Sequence, residues 1–301
     1  MSDTSSMKGS DGFGAVWGTD NSLQSPEEIF GNQETDTEEN RKDQQDQQSN
    51  SKAVASVSAI VESVPSKRKR SNGSADIVFL VDVTGSMEPC IDALKRSIKH
   101  FLHELANGSG EIKAVEDWRA RIVGYRDYPE DYGTSYGWLN ECSFTRTTAA
   151  LEKFIDSMVA TGGGDEPESL LDAISVILDE GELPEQCEDN DKRWRTRDRA
   201  ARILVVFTDA TYHEKVSVPK HIGETFDTVA DRIMNFGIHG FMFVPDFPQY
   251  EDSFGEISNF ILQGCGSGAD GLGVVMSNPE KLREILYRLQ KGISRSASIS
   301  R

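Results

Sequence analysis

The sequence predicts an α/β protein with a mostly parallel, doubly wound sheet and helices on both faces. Continuous apolar runs such as 77–81 and 203–207 are typical of strands that are buried on both sides. Apolar residues at three- and four-residue spacing, as in 91–105, predict amphipathic helices. Because such strands and helices alternate along the chain, we expect crossover connections, which join parallel strands.

Each predicted element follows from its apolar pattern and from the turn residues that end it. The first helix is expected to stop at Asn107-Gly108, and Ser277-Asn278-Pro279 supplies the cap and the first-turn proline of the last helix. The predicted strands are 77–81, 120–125, a short one before Thr145, 203–207, 240–244 and 273–276. The predicted helices carry the apolar residues of 91–105, 151–158, 170–178, 226–233 and 282–289.

The N-terminal part has a different composition from the rest of the chain. Residues 1–75 contain 12 acidic and 8 basic side chains in a run rich in Ser, Asp, Asn and Gln. Such a segment has too few large apolar residues to offset its chain entropy by burial. We therefore expect a disordered tail and linker at 1–74, one globular domain at 75–292 and a short disordered tail at 293–301. The basic residues 67–70 fit either a nuclear address or a solvated linker.

Charge and cysteine content exclude several classes of function. The 301 residues carry a net charge of −18, which disfavours binding to nucleic acid or to an anionic membrane surface. The four cysteines are far apart and have no histidines at ligand spacing, so neither a disulfide framework nor a zinc site is expected. The sequence shows no signal peptide and no run of about 18 apolar residues. These observations predict a cytoplasmic protein.

Candidate metal ligands lie directly after two predicted strands. Asp82, Thr84 and Ser86 follow the first strand on a tight glycine turn, and Asp209 follows the strand at 203–207. In open parallel sheets, ligands bind at the carboxyl ends of the strands, where the strand order reverses. Carboxylate and hydroxyl oxygens suit a hard cation such as Mg²⁺ or Mn²⁺. A glycine loop that contains Asp165 and opens into a helix is a third candidate part of this site.

This arrangement resembles the von Willebrand factor A domain and its metal-ion-dependent adhesion site. The family pattern Asp-x-Ser/Thr-x-Ser is matched by Asp82, Thr84 and Ser86, and the family's later aspartate is matched by Asp209. The resemblance covers roughly 75–292. It implies a Rossmann-like sheet and a Mg²⁺ ion that is completed by a carboxylate from a partner protein. The family's remaining ligand is a loop threonine, for which this chain offers Asp165 or Thr161.

Other residues near these motifs have competing interpretations. Asp165 and Glu168 have the spacing of a capping box, which would make their role structural. Residues 125–128 either border the site or form an ion pair that pins a surface loop. His213 is expected at the rim, because Mg²⁺ prefers oxygen ligands. The arginines of 193–202 alternate, which suggests a solvated approach to the sheet.

The resulting expectation is a Mg²⁺-dependent protein-interaction module that binds an Asp or Glu of its partner and has no enzymatic activity. No histidine lies at the spacing of a catalytic triad. The alternative is a metal-dependent phosphohydrolase with Asp82 as nucleophile. Such enzymes need an acidic residue two positions later, where this chain has Thr84. A kinase is disfavoured, because residues 293–301 are too few to form a kinase domain.

Overall fold

The computed structural model describes residues 74–108, 115–164, 166–184, 191–278, 280, 281, 284, 287 and 288. Outside these ranges lie residues 1–73 of the tail expected at 1–74, the tail expected at 293–301, the basic residues 67–70 and the apolar residues of the predicted last helix. Ser74 is the first residue of the first strand, so the predicted end of the tail was one residue too late. Asn278 Oδ1 accepts hydrogen bonds from the backbone N–H groups of Glu280 (3.0 Å) and Lys281 (3.2 Å), as expected of the predicted cap.

The described residues form a six-stranded sheet. Its order is β3-β2-β1-β4-β5-β6, and all neighbouring strands are parallel except β3, which runs antiparallel to β2. This order is that of a Rossmann-like, doubly wound sheet, so the predicted fold class is confirmed. The strands are β1 (Ser74–Asp82), β2 (Asp117–Tyr125), β3 (Leu139–Glu141), β4 (Ala201–Phe207), β5 (Ile238–Val244) and β6 (Phe260–Gly264).

Helices pack on both faces of the sheet. On one face, Ile77, Phe79 and Val81 of β1 pack with the helices that begin at Ile91, Thr148 and Gly268. On the other face, Val78 and Leu80 pack with the helices that begin at Leu170 and Phe226. This division follows the period-two alternation of side chains along a strand. The helices are α1 (Ile91–Asn107), α2 (Thr148–Asp156), α3 (Leu170–Asp179), α4 (Phe226–Phe236), α5 (Pro248–Glu251) and α6 (Gly268–Ser277).

The prediction was wrong near the carboxyl end of the domain. Residues 273–276 belong to helix α6, and the last strand, β6, lies earlier in the sequence. Leu272, Val275 and Met276 have helical spacing and are buried, and the Met276 carbonyl accepts a 2.7 Å hydrogen bond from Ser97 Oγ of α1. A run of three apolar residues cannot by itself distinguish a strand from a buried helix.

The amino end of the sheet contains buried arginines, so the prediction of a solvated basic stretch was wrong for Arg195 and Arg202, whereas Arg197 and Arg199 are exposed as expected. Arg195 and Arg202 are 2% and 1% exposed. Arg195 bonds to Asp76, and Arg202 bonds to Glu182 and to the Phe236 carbonyl. Alternating arginines look solvated in a sequence, because their acidic partners lie far away in the chain.

Two further findings concern the helices and the cysteines. Within the described ranges, no helix is long and apolar enough to cross a membrane. Cys90, Cys142 and Cys265 are free thiols, and Cys187 lies outside the described residues. Burial raises the pKa of Cys90 and of Cys265 to about 12, so neither is a reactive thiolate at neutral pH.

Candidate metal centre

The first predicted ligand, Asp82, is the last residue of β1 and is fully buried. Its Oδ1 accepts hydrogen bonds from the backbone N–H (3.0 Å) and the hydroxyl (2.7 Å) of Thr84. Its Oδ2 accepts a bond of 2.8 Å from Thr208 Oγ1, and Tyr125 OH lies 3.4 Å away. These donors are all neutral, so they orient the carboxylate without neutralising it.

The other three ligand candidates continue from Asp82 as a chain of polar contacts. Thr84 Oγ1 lies 3.1 Å from Ser86 Oγ, which in turn donates to Asp209 Oδ1 at 3.1 Å. Asp209 lies just beyond β4, the strand that neighbours β1 in the sheet. The structure therefore brings Asp82, Thr84, Ser86 and Asp209 together at the point where the strand order reverses.

A glycine loop, 162–164, forms the opposite wall of the site. The Gly85 N–H donates to the Gly162 carbonyl at 2.9 Å. Gly163 has φ +79°, and a Cβ on it would lie 2.9 Å from Thr84 Cβ. Only glycine combines this left-handed backbone with so close an approach. The loop therefore sits directly against the Asp82 turn.

Buried side chains of the loop after β2 hold the glycine loop in place. Asp131 Oδ2 accepts from the Gly163 N–H and Asp127 Oδ2 from the Gly164 N–H, both at 2.7 Å. Arg126 donates to the carbonyls of Thr161, Gly137 and Val159. The interpretation of 125–128 as a surface ion pair was therefore wrong, because the side chains of Arg126 and Asp127 are buried and bond to the backbone.

The two candidates for the remaining ligand have different outcomes. Asp165 lies outside the described residues. Thr161 is described, and its backbone binds Val83 O through N–H (2.9 Å) and Arg126 Nε through its carbonyl (2.6 Å). Thr161 does not line the cleft at the site, and neither does the buried Asp82, which reaches it only through its hydrogen bond to Thr84, whereas Gly162 and Glu168 do line it. His213 also lies away from this lining.

The cleft has a volume of about 250 Å³ and a strongly acidic wall. Ser86 and Glu166 are exposed at its mouth, so the site opens to solvent. Its polar side chains belong to Thr84, Ser86, Glu166, Glu168 and Asp209. Among the described residues, no salt bridge reaches any of these carboxylates or Asp82.

Glu168 is a site residue that sequence reasoning missed. The capping-box interpretation was wrong, because helix α3 begins only at Leu170. Glu168 instead joins the segment after β4: its N–H donates to the Thr211 carbonyl (2.9 Å), and its carbonyl accepts from the His213 N–H (3.1 Å). Nothing in the sequence distinguishes Glu168 from its neighbours Asp165 and Glu166. The residues whose contacts place Glu168 at the site lie more than 40 positions away.

Mutual repulsion and burial shift the pKa values of the carboxyls in the cleft. Burial and then the charge of Asp209 raise the pKa of Asp82 to about 6, against the opposing bonds from Thr84 and Thr208. Burial and then the charge of Asp82 raise the pKa of Glu168 to about 10. Burial also raises the pKa of Asp209. In the absence of a cation, the site therefore disfavours its own ionised form.

The donor set fits a hard divalent cation. Asp82 and Asp209 supply carboxylate oxygens, and Thr84 and Ser86 supply hydroxyl oxygens, which are ligands of the kind that Mg²⁺ takes together with several waters. The described part of the chain contains no group of three or more His, Cys, Asp or Glu side chains placed to hold a metal.

No model of a known protein family matches the chain. Over 151 residues, or 49% of its length, the chain is 26% identical to an alpha-protein kinase, vwkA, of Dictyostelium discoideum, of which the match covers 20%. Over 105 residues, or 35% of its length, it is 30% identical to an ariadne-like RING finger protein, R811, of Acanthamoeba polyphaga mimivirus, of which the match covers 9%. The chain thus spans a fifth or less of these curated relatives.

Among solved structures, the chain is similar to proximal thread matrix protein 1 from the mussel byssus. The TM-score is 0.45 at 12% sequence identity, over 68% of this chain and 47% of that one. At this level of similarity we draw nothing about this chain from that protein.

Proposed function

We propose that the protein is a Mg²⁺-dependent protein-interaction module of the von Willebrand factor A type. Asp82, Thr84, Ser86 and Asp209 would hold the ion, which Mn²⁺ could replace. The partner protein would complete the coordination with an Asp or Glu side chain. We place this role in the cytoplasm, in keeping with the free thiols of Cys90, Cys142 and Cys265.

The observation that carries the proposal is a pair of buried carboxylates, Asp82 and Asp209, at the point where the strand order of the sheet reverses. Among the described residues, no positively charged side chain forms a salt bridge with either of them. Asp82 is fully buried, and Asp209 is 7% exposed. Within the described ranges, both receive hydrogen bonds from neutral groups only. Burying a charge without a partner is costly, so such a pair is expected to take up a cation.

The surrounding residues support a precise and open ion site. Thr208 and Tyr125 hold one oxygen of Asp82, while Thr84 holds the other. Ser86 is exposed, so one side of the cleft is accessible to a partner. A bound cation would supply a positive charge that attracts a carboxylate through the otherwise acidic surface.

The partner's carboxylate must overcome the acidic surroundings of the cleft. Glu166 lies at the mouth, and the chain as a whole carries a net charge of −18. Without the ion, the negative charge of the cleft would repel an acidic partner. Binding is therefore expected to depend strictly on the metal.

The geometry argues against the phosphohydrolase alternative. An aspartate nucleophile of that kind needs an acidic residue two positions later as acid and base, whereas here the hydroxyl of Thr84 stands in that position and donates to Asp82 at 2.7 Å. We therefore propose a binding role without catalysis. We do not extend kinase activity to this chain, because the match covers only 20% of the kinase relative.

Calorimetric titration of Mg²⁺ into the full chain tests the proposal. Wild type is expected to bind one ion, and Asp209→Asn is expected to lose this binding while it remains folded. Asp231→Asn, which changes an exposed carboxylate on α4, is the matched control and is expected to bind as wild type does. Equal binding by Asp209→Asn would contradict the assignment. Pull-down with and without EDTA then measures whether protein binding follows the metal.

A further inference from the structure

We propose that the loop 215–225, between β4 and α4, is held against α3 by a pH-sensitive clamp with His221 at its centre. The clamp is closed when the imidazole ring carries a proton on both nitrogens, and it loosens when one of these protons leaves to solvent. The cluster lies outside the cation cleft, so the inference does not depend on the proposed function.

The loop closes on itself before the chain enters α4. Lys215 and Thr225 form an antiparallel bridge, and the Val216 N–H donates to the Glu224 carbonyl at 2.8 Å. None of the residues in the outer part of the loop, 219–224, is buried. This outer part therefore depends on polar side chains for its attachment to the rest of the domain.

Both ring nitrogens of His221 face carboxylates. Nδ1 lies 2.8 Å from Glu224 Oε1, and Nε2 lies 2.9 and 2.8 Å from the two carboxylate oxygens of Asp179, at the end of α3. An ionised carboxylate can only accept hydrogen bonds, and a neutral imidazole has a single N–H. The full set of contacts therefore requires an imidazolium, which donates from both nitrogens.

The other charged groups around His221 preserve this requirement. Arg232 of α4 donates to Asp179 Oδ1 at 2.8 Å and to Glu224 Oε2 at 3.3 Å, and Lys220 Nζ lies 3.1 Å from Asp179 Oδ2. Burial raises the pKa of Asp179, but the bonds from His221 and Lys220 outweigh burial and lower this pKa. Asp179 is therefore ionised at neutral pH and cannot donate to a neutral ring.

The root of the loop has a separate attachment to α3. Asp172 Oδ1 accepts hydrogen bonds of 2.7 Å from the N–H groups of Ser217 and Val218. A carboxyl oxygen can accept such bonds in either protonation state. Burial raises the pKa of Asp172, and the charge of His213 near the root opposes this rise. His213 is thus a second imidazole near the loop, and its titration must be tested beside that of His221.

The direction of the pH effect follows from the form of His221 that fits the closed loop. The protonated ring stabilises this loop, so the stabilisation is present at low pH and is lost as the pH rises through the titration range of imidazole. At high pH one of the two carboxylates faces a lone pair of the ring. The outer part of the loop is then expected to open more often, while the root stays attached.

Hydrogen exchange of the full chain, followed by mass spectrometry at about pH 6 and pH 8, tests the clamp. Protection is expressed relative to the intrinsic exchange rate at each pH, so that base catalysis of exchange cancels. In wild type, the amides of 216–224 are expected to lose protection by about tenfold or more at the higher pH, as for loss of one charge-assisted hydrogen bond. Unchanged protection in wild type would overturn the inference.

Three histidine variants assign the effect to one ring. His221→Gln is expected to be less protected at the lower pH and to lose nothing further at the higher pH. His100→Gln is the matched control, because His100 Nε2 contacts one carboxylate, Glu104 Oε1 at 3.3 Å, for which a single N–H is enough. His100→Gln and His213→Gln are expected to respond as wild type does. A response that persists in His221→Gln, or disappears in His213→Gln, would overturn the inference.

Glu224→Gln is a second test, which keeps the histidine and serves also if His221→Gln does not fold. The amide of glutamine can donate to a ring nitrogen that has lost its proton. The loss of protection between the two pH values is therefore expected to be smaller than in wild type. A loss as large as that of wild type would contradict a clamp that depends on the imidazolium.

Discussion

The two ends of strand β1 each bury an aspartate, and the protein treats them in opposite ways. Asp76, at the amino end, accepts bonds from Arg119 Nε (2.8 Å) and Arg195 Nε (2.7 Å). Asp82, at the carboxyl end, accepts bonds only from neutral groups among the described residues, although both aspartates are 0% exposed. The chain thus supplies the counter-charge at one end, and under the proposed function a cation from solution would supply it at the other.

This difference separates a structural from a functional use of buried charge. At the amino end, Arg119 and Arg195 also bond to backbone carbonyls, of Arg193 and Ala75 respectively. At the carboxyl end, Arg126 bonds to three backbone carbonyls and holds the loop rather than the site carboxylates. A fixed guanidinium beside Asp82 would exclude a second cation, so the arrangement favours an exchangeable ion.

The largest expected effect is loss of the amino-end network. Asp76→Ala would leave Arg119 and Arg195 buried without their carboxylate, and removing one partner of a buried ion pair costs about 3–5 kcal/mol. The free energy of unfolding, from chemical denaturation without metal, measures this cost. Asp82→Asn, at the other end of β1, is expected to cost far less in the same assay. Similar costs for both variants would contradict the comparison.

The next effect is stabilisation by the metal. An ion that binds only the folded state stabilises it by RT ln(1 + [L]/Kd), or about 2.7 kcal/mol at a hundredfold excess over Kd. Mg²⁺ is therefore expected to raise the melting temperature of wild type and of Asp231→Asn. The rise should vanish in Asp82→Asn and in Asp209→Asn. A rise of equal size in all four proteins would place the ion elsewhere.

A smaller effect is expected from the wall of the cleft. Gly163→Ala places a methyl group 2.9 Å from Thr84 Cβ at a backbone φ of +79°. Strain of this kind costs on the order of 1–3 kcal/mol, and displacement of Thr84 should weaken Mg²⁺ binding. Gly223→Ala, at φ +83° with open space around it, is the control for backbone strain alone. Weaker Mg²⁺ binding in both variants would remove the special role of Gly163.

The smallest effect is expected at an exposed ion pair. Lys99 and Asp156 form a contact of 2.6 Å between α1 and α2, and both side chains are at least one-third exposed. Such pairs contribute about 0–1 kcal/mol because water and salt screen them. Asp156→Ala should therefore change the unfolding free energy by less than about 1 kcal/mol, with no change in Mg²⁺ affinity. A larger loss would show that surface charge matters here as much as the buried network does.

Much of this fold could be predicted from the sequence, because runs and regular spacings of apolar residues show which segments are buried. The strand at 77–81 is apolar at every position, and Asp82 and Asp209 each come soon after such a run, so their meeting at one edge of the sheet follows from strand order. The edge strand β6 escaped prediction, because 260–264 is short and only partly buried. A short, partly buried strand lacks the regular pattern of apolar residues by which a strand is recognised in a sequence.

Long-range pairing is what the sequence could not predict. Arg195 meets Asp76 across 119 positions, and Glu168 meets the segment after β4 through Thr211 and His213. Local patterns do not show which distant charge a buried side chain will contact. For this reason local patterns predict a solvated Arg195 and a helix-capping Glu168, and both predictions are wrong.

Anomalous diffraction from crystals of the full chain grown with Mn²⁺ tests the central claim most directly. If the buried carboxylates at the carboxyl ends of β1 and β4 lack a counter-charge, one strong peak is expected in the cleft, in contact with oxygens of Thr84, Ser86 and Asp209. No peak is expected beside Asp76, where arginines already provide the positive charge. An empty cleft at millimolar Mn²⁺, or a peak at the amino end of the sheet, would contradict the account.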